Sequence, residues 1–325
     1  MRSSKRAPSL AEHAFSFFNT FKSKEVGKLT PGLTFVIRGV ATLLPEESSI
    51  FLRDPKKIAL FASVFVMQMA LNDMVDFLGA SSNEAAKEFC KNSYRTAESG
   101  YKKALNNIDD ANVRKRYERI IEQSVKEVVL VEKWIREKQK TTIFTQQDVQ
   151  EYRELVNAIE VATNVSLIIG ENNLANISSN WQMSFATIKE KYQWIRDGKT
   201  ENNSERAVVA MFNLAMAAQI EDDRADRRSG IDPWLSIPSF AEKFSDEELN
   251  LLRKKYVRKS KEFGMVPFAD IAVVTGIALA KRGLNWILKH KDAPLLQHSP
   301  ALRRHLAPVI REYLFLFGKL PTTEQ

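Results

Sequence analysis

The chain has 325 residues, 44% apolar and 27% charged, a balance typical of a folded globular protein and too apolar for a disordered one. Its 48 lysines and arginines outweigh 40 aspartates and glutamates, and its single cysteine, Cys90, excludes both an internal disulfide and a thiolate zinc cluster. With only 12 glycines and 11 prolines, a turn-rich all-β fold is disfavoured and long helices are expected.

In chain order, Met1–Arg6 carries Arg2, Lys5 and Arg6, and the mixed stretch Ala7–Phe18 that follows holds Glu12 and His13, unlike a secretory signal. Ala11–Lys22 has an aromatic side formed by Phe15, Phe17, Phe18 and Phe21, and Leu33–Leu44 is apolar apart from Arg38. Asp54-Pro55 opens a strong helix, with Asp54 as N-cap and Pro55 in the first turn, running to about Leu78 before Gly79. Helices are then expected over Glu84–Leu105, Asp109–Lys138, Thr145–Asn172 with Gly170 as a break, and Met183–Ile195. A loop at 197–203 leads into a second strong helix, Ser204–Arg228. The cationic helix Glu247–Phe263 follows, with Arg253, Lys254, Lys255, Arg258 and Lys259 read as a solvated face. Ala269–His290 and Pro300–Phe317 close the chain.

No run reaches the ~18–20 apolar residues that span a bilayer; Ile58–Leu71 and Ala207–Ile220 come nearest and read as buried core helices. No linker or fixed repeat divides the chain, so a single all-helical domain over 1–325 is expected, with residues 1–10 flexible. The cations are scattered, and neither zinc-finger spacing nor a basic region with heptads is present, so no nucleic-acid partner is expected. The expected location is the cytoplasm or a soluble organelle compartment, the latter reached with a transit peptide since removed.

Two of these helices end in carboxylates. In Asn72-Asp73-Met74-Val75-Asp76 the pair Asn72/Asp76 is spaced i,i+4 and the pair Asp73/Asp76 i,i+3, so the three share a helical face. In Gln219-Ile220-Glu221-Asp222-Asp223-Arg224-Ala225-Asp226 the pairs Asp222/Asp226 and Asp223/Asp226 do the same, and Gln219 sits one turn earlier. Carboxylates so close repel one another and oppose the negative end of the helix dipole, so a cation is expected to offset them. Mg²⁺ takes hard oxygen ligands and commonly bridges one or two carboxylates to substrate phosphates. The competing reading is that acidic helix ends are simply solvated.

The second cluster resembles the downstream aspartate-rich motif of trans-prenyl diphosphate synthases, a Gln one turn before D-D-x-x-D, and Asn72–Asp76 resembles their first motif with Asn in the leading place. Asp222-x-x-x-Asp226 with Arg227-Arg228-Ser229-Gly230 and Leu235-Ser236-Ile237-Pro238 is also similar to the downstream motif of squalene and phytoene synthases. The chain departs from the elongases in lacking their Gly-Gly-Lys-x-x-Arg segment and the Arg-Arg-Gly after the first motif. It also lacks the N-D-x-x-S-x-x-x-E of terpene cyclases.

The resemblance implies an all-α class I isoprenoid synthase-like helical barrel around a central cavity, in a divergent member. It implies two or three Mg²⁺ ions held by Asn72, Asp73, Asp76, Asp222, Asp223 and Asp226. It implies diphosphate contacts from Gln219, Arg227, Arg228 and Lys189, and cavity walls from Phe65, Met69, Phe212 and Met216. The activity implied is ionisation of an allylic prenyl diphosphate with release of pyrophosphate, followed by cyclisation or by transfer to a second, non-isoprenoid small-molecule acceptor. The alternative is a non-catalytic helical binding protein.

Overall fold

The computed structural model describes residues 36–37, 39–80, 84–141, 143–170, 183–229 and 239–265. Among these residues the chain is helical throughout and forms no strand. After a helical stretch at 39–43, the elements are α1 (Pro45–Leu52), α2 (Pro55–Ala80), α3 (Glu84–Asn106), α4 (Ala111–Gln139) and α5 (Gln146–Ile169). They continue with α6 (Phe185–Lys191), α7 (Gln193–Asp197), α8 (Asn203–Ser229), α9 (Phe240–Lys243) and α10 (Asp246–Glu262). No helix among the described residues is long and apolar enough to cross a membrane. The expected helices over Ala11–Lys22, Ala269–His290 and Pro300–Phe317 lie outside them.

Local chemistry sets most of the helix ends. Asp54 Oδ1 accepts the backbone N–H groups of Lys56 (3.0 Å) and Lys57 (3.3 Å), two donors that the first turn of α2 cannot satisfy within itself. Asp110 caps α4 in the same way through Asn112 and Val113. Thr145 with Asp148, and Ser245 with Glu248, form reciprocal capping boxes on α5 and α10. Gly170 ends α5 with φ 72°, a left-handed conformation that only a residue without Cβ adopts freely.

The helix expected over Met183–Ile195 is instead two helices, α6 and α7, broken at Tyr192 (φ −98°, ψ 6°). Tertiary contacts explain the break. The Lys191 ammonium lies 2.8 Å from Glu127 Oε1 and the Tyr192 hydroxyl donates to Glu127 Oε2 at 2.6 Å. Two consecutive side chains thus converge on one buried carboxylate, whereas a continued helix would splay them by about 100°.

The helices are organised around α5, whose buried residues occupy every side of it, as befits an element enclosed by others. It packs against α1, α2, α4, α7, α8 and α9. With α4 it forms an antiparallel hairpin fastened at three levels. Arg116 donates to the Gly170 carbonyl (2.7 Å) at one end, Tyr152 donates to Glu132 (2.5 Å) between, and Lys138 pairs with Asp148 (3.4 Å) at the other. Helices α8 and α10 are antiparallel too: Ser260 Oγ donates to the Ala210 carbonyl (3.0 Å) and Arg253 pairs with Glu221 (3.0 Å). Arg253 is therefore a half-buried tie between helices and not part of a solvated face, while Lys254, Lys255 and Arg258 are exposed as expected.

Helices α2 and α3 pack along each other, and α2 starts at the Gly170 end of the α4–α5 hairpin. There Lys56 pairs with Asp109 (2.5 Å), and Asp54 lies close enough to Tyr117 to add to the effect of burial in raising its pKa to about 12.

Candidate functional site

The structure keeps α8 buried from Ala207 through Leu214 and again from Met216 to Ala218, so the carboxylate cluster stands where a core helix emerges. Within that cluster neighbouring residues meet different surroundings. Asp222 is half-buried, and Asp223 is only 1% exposed.

Both oxygens of Asp223 are engaged by the protein. Gln219 Nε2 donates to Oδ1 (2.7 Å), the backbone N–H of Phe240 donates to Oδ2 (2.6 Å), and Arg153 Nη2 lies 3.4 Å from Oδ1. One carboxylate thereby ties α8 to the opening of α9 and to α5. Arg153 is itself buried and lies 5.4 Å from the centroid of the Tyr152 ring, whose hydroxyl holds Glu132. On α9, Glu242 is exposed overall, yet partial burial of its carboxyl raises its pKa; Arg153 opposes that rise and Asp223 reinforces it. The end of α8 is thus a mixed ionic cluster in which Glu221, Asp223 and Asp246 pair with Arg153, Arg224, Arg227 and Arg253, and Arg153 is its buried cation.

The other candidate side chains are placed as follows. Gln219 is spent on Asp223. Arg227 donates to the Phe244 carbonyl (3.2 Å) and pairs with Asp246, fastening α8 to the start of α10. Lys189 pairs with Glu151 of α5. Phe212 is buried edge-on against Tyr256 (centroids 6.3 Å apart), Met216 is fully buried, and Phe65 is half-buried against the core. The backbone of α2 is helical through 72–76, which places Asn72, Asp73 and Asp76 on one face. Their side chains, with those of Met69, Asp226 and Arg228, lie outside the described residues.

Among the described residues no three His, Cys, Asp or Glu side chains are grouped closely enough to hold a metal ion. Asp223 does not fit a ligand role, because its lone pairs already face an amide N–H, a side-chain amide and a guanidinium. Asp222 fits the hard-oxygen chemistry that Mg²⁺ prefers, and its position leaves part of it at the surface.

Sequence reasoning missed Arg153 and Glu242. The signal for Arg153 was present in outline, since it is a lone guanidinium in a helix that is otherwise largely apolar from Val149 to Ile169. Such a cation is buried only with a partner. Comparison with protein-family models, curated proteins and solved structures finds no match to this chain.

Proposed function

We propose that the protein is a Mg²⁺-dependent enzyme that ionises an allylic prenyl diphosphate and releases pyrophosphate, the prenyl group then cyclising or passing to a second small-molecule acceptor. The observation that carries this reading is that both acidic clusters close long helices, α2 and α8, that pack against the same buried helix, α5. The α8 cluster stands at the N-terminal third of α5, beside Arg153. Helix α2 sets out from the opposite end of α5, and this reading requires its far end, with Asn72, Asp73 and Asp76, to lie toward Asp222. A barrel of the class I isoprenoid synthase kind is the architecture this reading requires.

In this proposal Asp222 and Asp226 on α8, with Asn72, Asp73 and Asp76 on α2, would hold two or three Mg²⁺ ions. Bound there, the metal would offset the charge that develops on the leaving diphosphate. Asp223 is a positioning residue: by holding Arg153 and the N–H of Phe240 it fixes the end of α8, so that Asp222 is presented without a search over side-chain arrangements. Arg227 and Lys189 hold protein partners, and together with Arg228 they remain the diphosphate-binding candidates of this reading. Phe65, Met69, Phe212 and Met216 would line or back the prenyl-binding wall.

The engagement of Gln219, Asp223, Arg227 and Lys189 by protein groups is also what a non-catalytic helical binding protein would show. The two readings part on one assay. Allylic diphosphates of several chain lengths are offered with Mg²⁺, with and without a pool of amine and amino-acid acceptors, and pyrophosphate release is measured for the wild type and Asp222→Ala. Release that needs both Mg²⁺ and Asp222 is expected, and dependence on the acceptor pool separates transfer from cyclisation. Absence of release, together with no rise in melting temperature from Mg²⁺ and pyrophosphate, would overturn the enzyme reading and move the function toward the binding-protein one. A bound cluster at a hundred times its Kd should add about 2.7 kcal/mol of stability.

A further inference from the structure

The end of the helical assembly where α2 and α4 begin carries cations from three segments of the chain. Arg53 precedes α2, and Lys56 and Lys57 lie in its first turn. Lys102 and Lys103 close α3. Arg114, Lys115, Arg116 and Arg119 occupy the first turns of α4. The salt bridge from Lys56 to Asp109, the bond from Arg114 to the Ile108 carbonyl (3.3 Å) and that from Arg116 to the Gly170 carbonyl bring these segments together.

Of the acids at this end, Glu46 and Glu47 lie on α1 one turn before Ile50, and the others are largely spent. Asp54 and Asp110 cap α2 and α4, Asp109 holds Lys56, and Glu98 holds Lys102. Glu118 and Glu122 lie near Tyr101 and help raise its pKa, so they face the flank of α3. Arg53, Lys103, Lys115 and Arg119 are exposed and make no salt bridge among the described residues. The cations in the first turns of α2 and α4 also stand at the positive ends of those helix dipoles, and no acid lies in either turn to offset them. Beside Arg53, in the last turn of α1, Ile50 is 64% exposed.

We propose that this end docks on an anionic membrane surface, with Arg53, Lys103, Lys115 and Arg119 meeting lipid phosphates and carboxylates and Ile50 entering the headgroup boundary. The inference goes beyond the proposed activity and does not depend on it. Charge complementarity selects an anionic partner. The exposed Ile50 favours a lipid surface over a nucleic acid, because an apolar side chain among cations gains nothing from a phosphate backbone but is withdrawn from water at a bilayer.

The test is sedimentation of the full chain with phosphatidylcholine vesicles, with and without phosphatidylserine, at low and physiological salt. Binding is expected only with phosphatidylserine and should weaken as salt rises. Lys115→Gln combined with Arg119→Gln should weaken it on the order of tenfold, and Ile50→Ser a few-fold. Lys254→Gln with Lys261→Gln, which removes the same charge from exposed positions on α10, should leave binding nearly unchanged. Circular dichroism of each variant checks that the fold is retained. Equal binding to both kinds of vesicle, equal losses in the α4 and α10 variants, or binding to duplex DNA or RNA without binding to vesicles would each overturn the proposal.

Discussion

Glu127 and Asp223 are both carboxylates with 1% of their surface exposed, yet they stand in different company. Glu127 sits in the middle of α4 and receives Gln123, Lys191 and Tyr192, a closed set that pins α6 to α4. Asp223 sits at the end of a helix, flanked by the half-buried Asp222 and by the Glu221–Arg253 tie to α10. Glu127 is wholly a strut. Asp223 is a strut embedded in a charged cluster, and the residue next to it keeps partial access to solvent. An acidic motif in a helical protein can therefore divide between adjacent positions, one enclosed by other helices and one partly open to solvent.

Breaking the two struts tests this division. Asp223→Ala leaves Arg153 buried without its carboxylate and should cost about 3–5 kcal/mol in urea unfolding. Asp222→Ala should cost less than about 1 kcal/mol while carrying the loss of pyrophosphate release. Equal destabilisation by the two would erase the distinction.

Glu127→Gln keeps the shape of the other strut but removes the charge facing Lys191. The loss should be about 1.5–3 kcal/mol, the range for a hydrogen bond to a charged group. Burial already holds the Lys191 pKa below its usual value, with Glu127 working against that, so the substitution should lower it further. Alkali sharpens the same contrast. Burial first, then the Glu127 charge, lifts the Tyr192 pKa well above the ordinary phenol value, and burial with Glu154 does the same for Tyr256. A folded pKa above the unfolded one gives stability that is complete below about pH 10 and is lost as pH rises toward the folded value. Phenolate absorbance from these tyrosines should therefore appear together with loss of helical signal. Phenolate appearing near pH 10 with helicity intact would contradict it. A smaller effect than that of either strut should come from Ser245→Ala, which removes the cap of α10 at the foot of the α8 cluster and should cost about 1 kcal/mol by thermal unfolding, with pyrophosphate release retained.

Most of the helical framework was legible in the chain. Asp54-Pro55, Thr145 and Gly170 mark the ends of α2 and α5 through bonds made within a few residues, and such signals do not depend on the rest of the fold. The break at Tyr192 was not legible, because its cause lies on α4, far away in sequence. Arg253 was misread for the same reason: a cation in a cationic helix looks solvated until Glu221 is seen beside it.

The sequence by itself determined that the chain is helical, where most of those helices begin, and that carboxylates gather near the ends of two of them. Periodicity and capping are short-range physics, written in residue spacing. Only the tertiary structure decided which carboxylate is which. Asp222 and Asp223 are chemically identical neighbours on one helix, but a step of about 100° around the axis turns one under α9 and against Arg153 and leaves the other at the edge. Burial is set by what packs against a helix, and a helix's own sequence does not contain its neighbours.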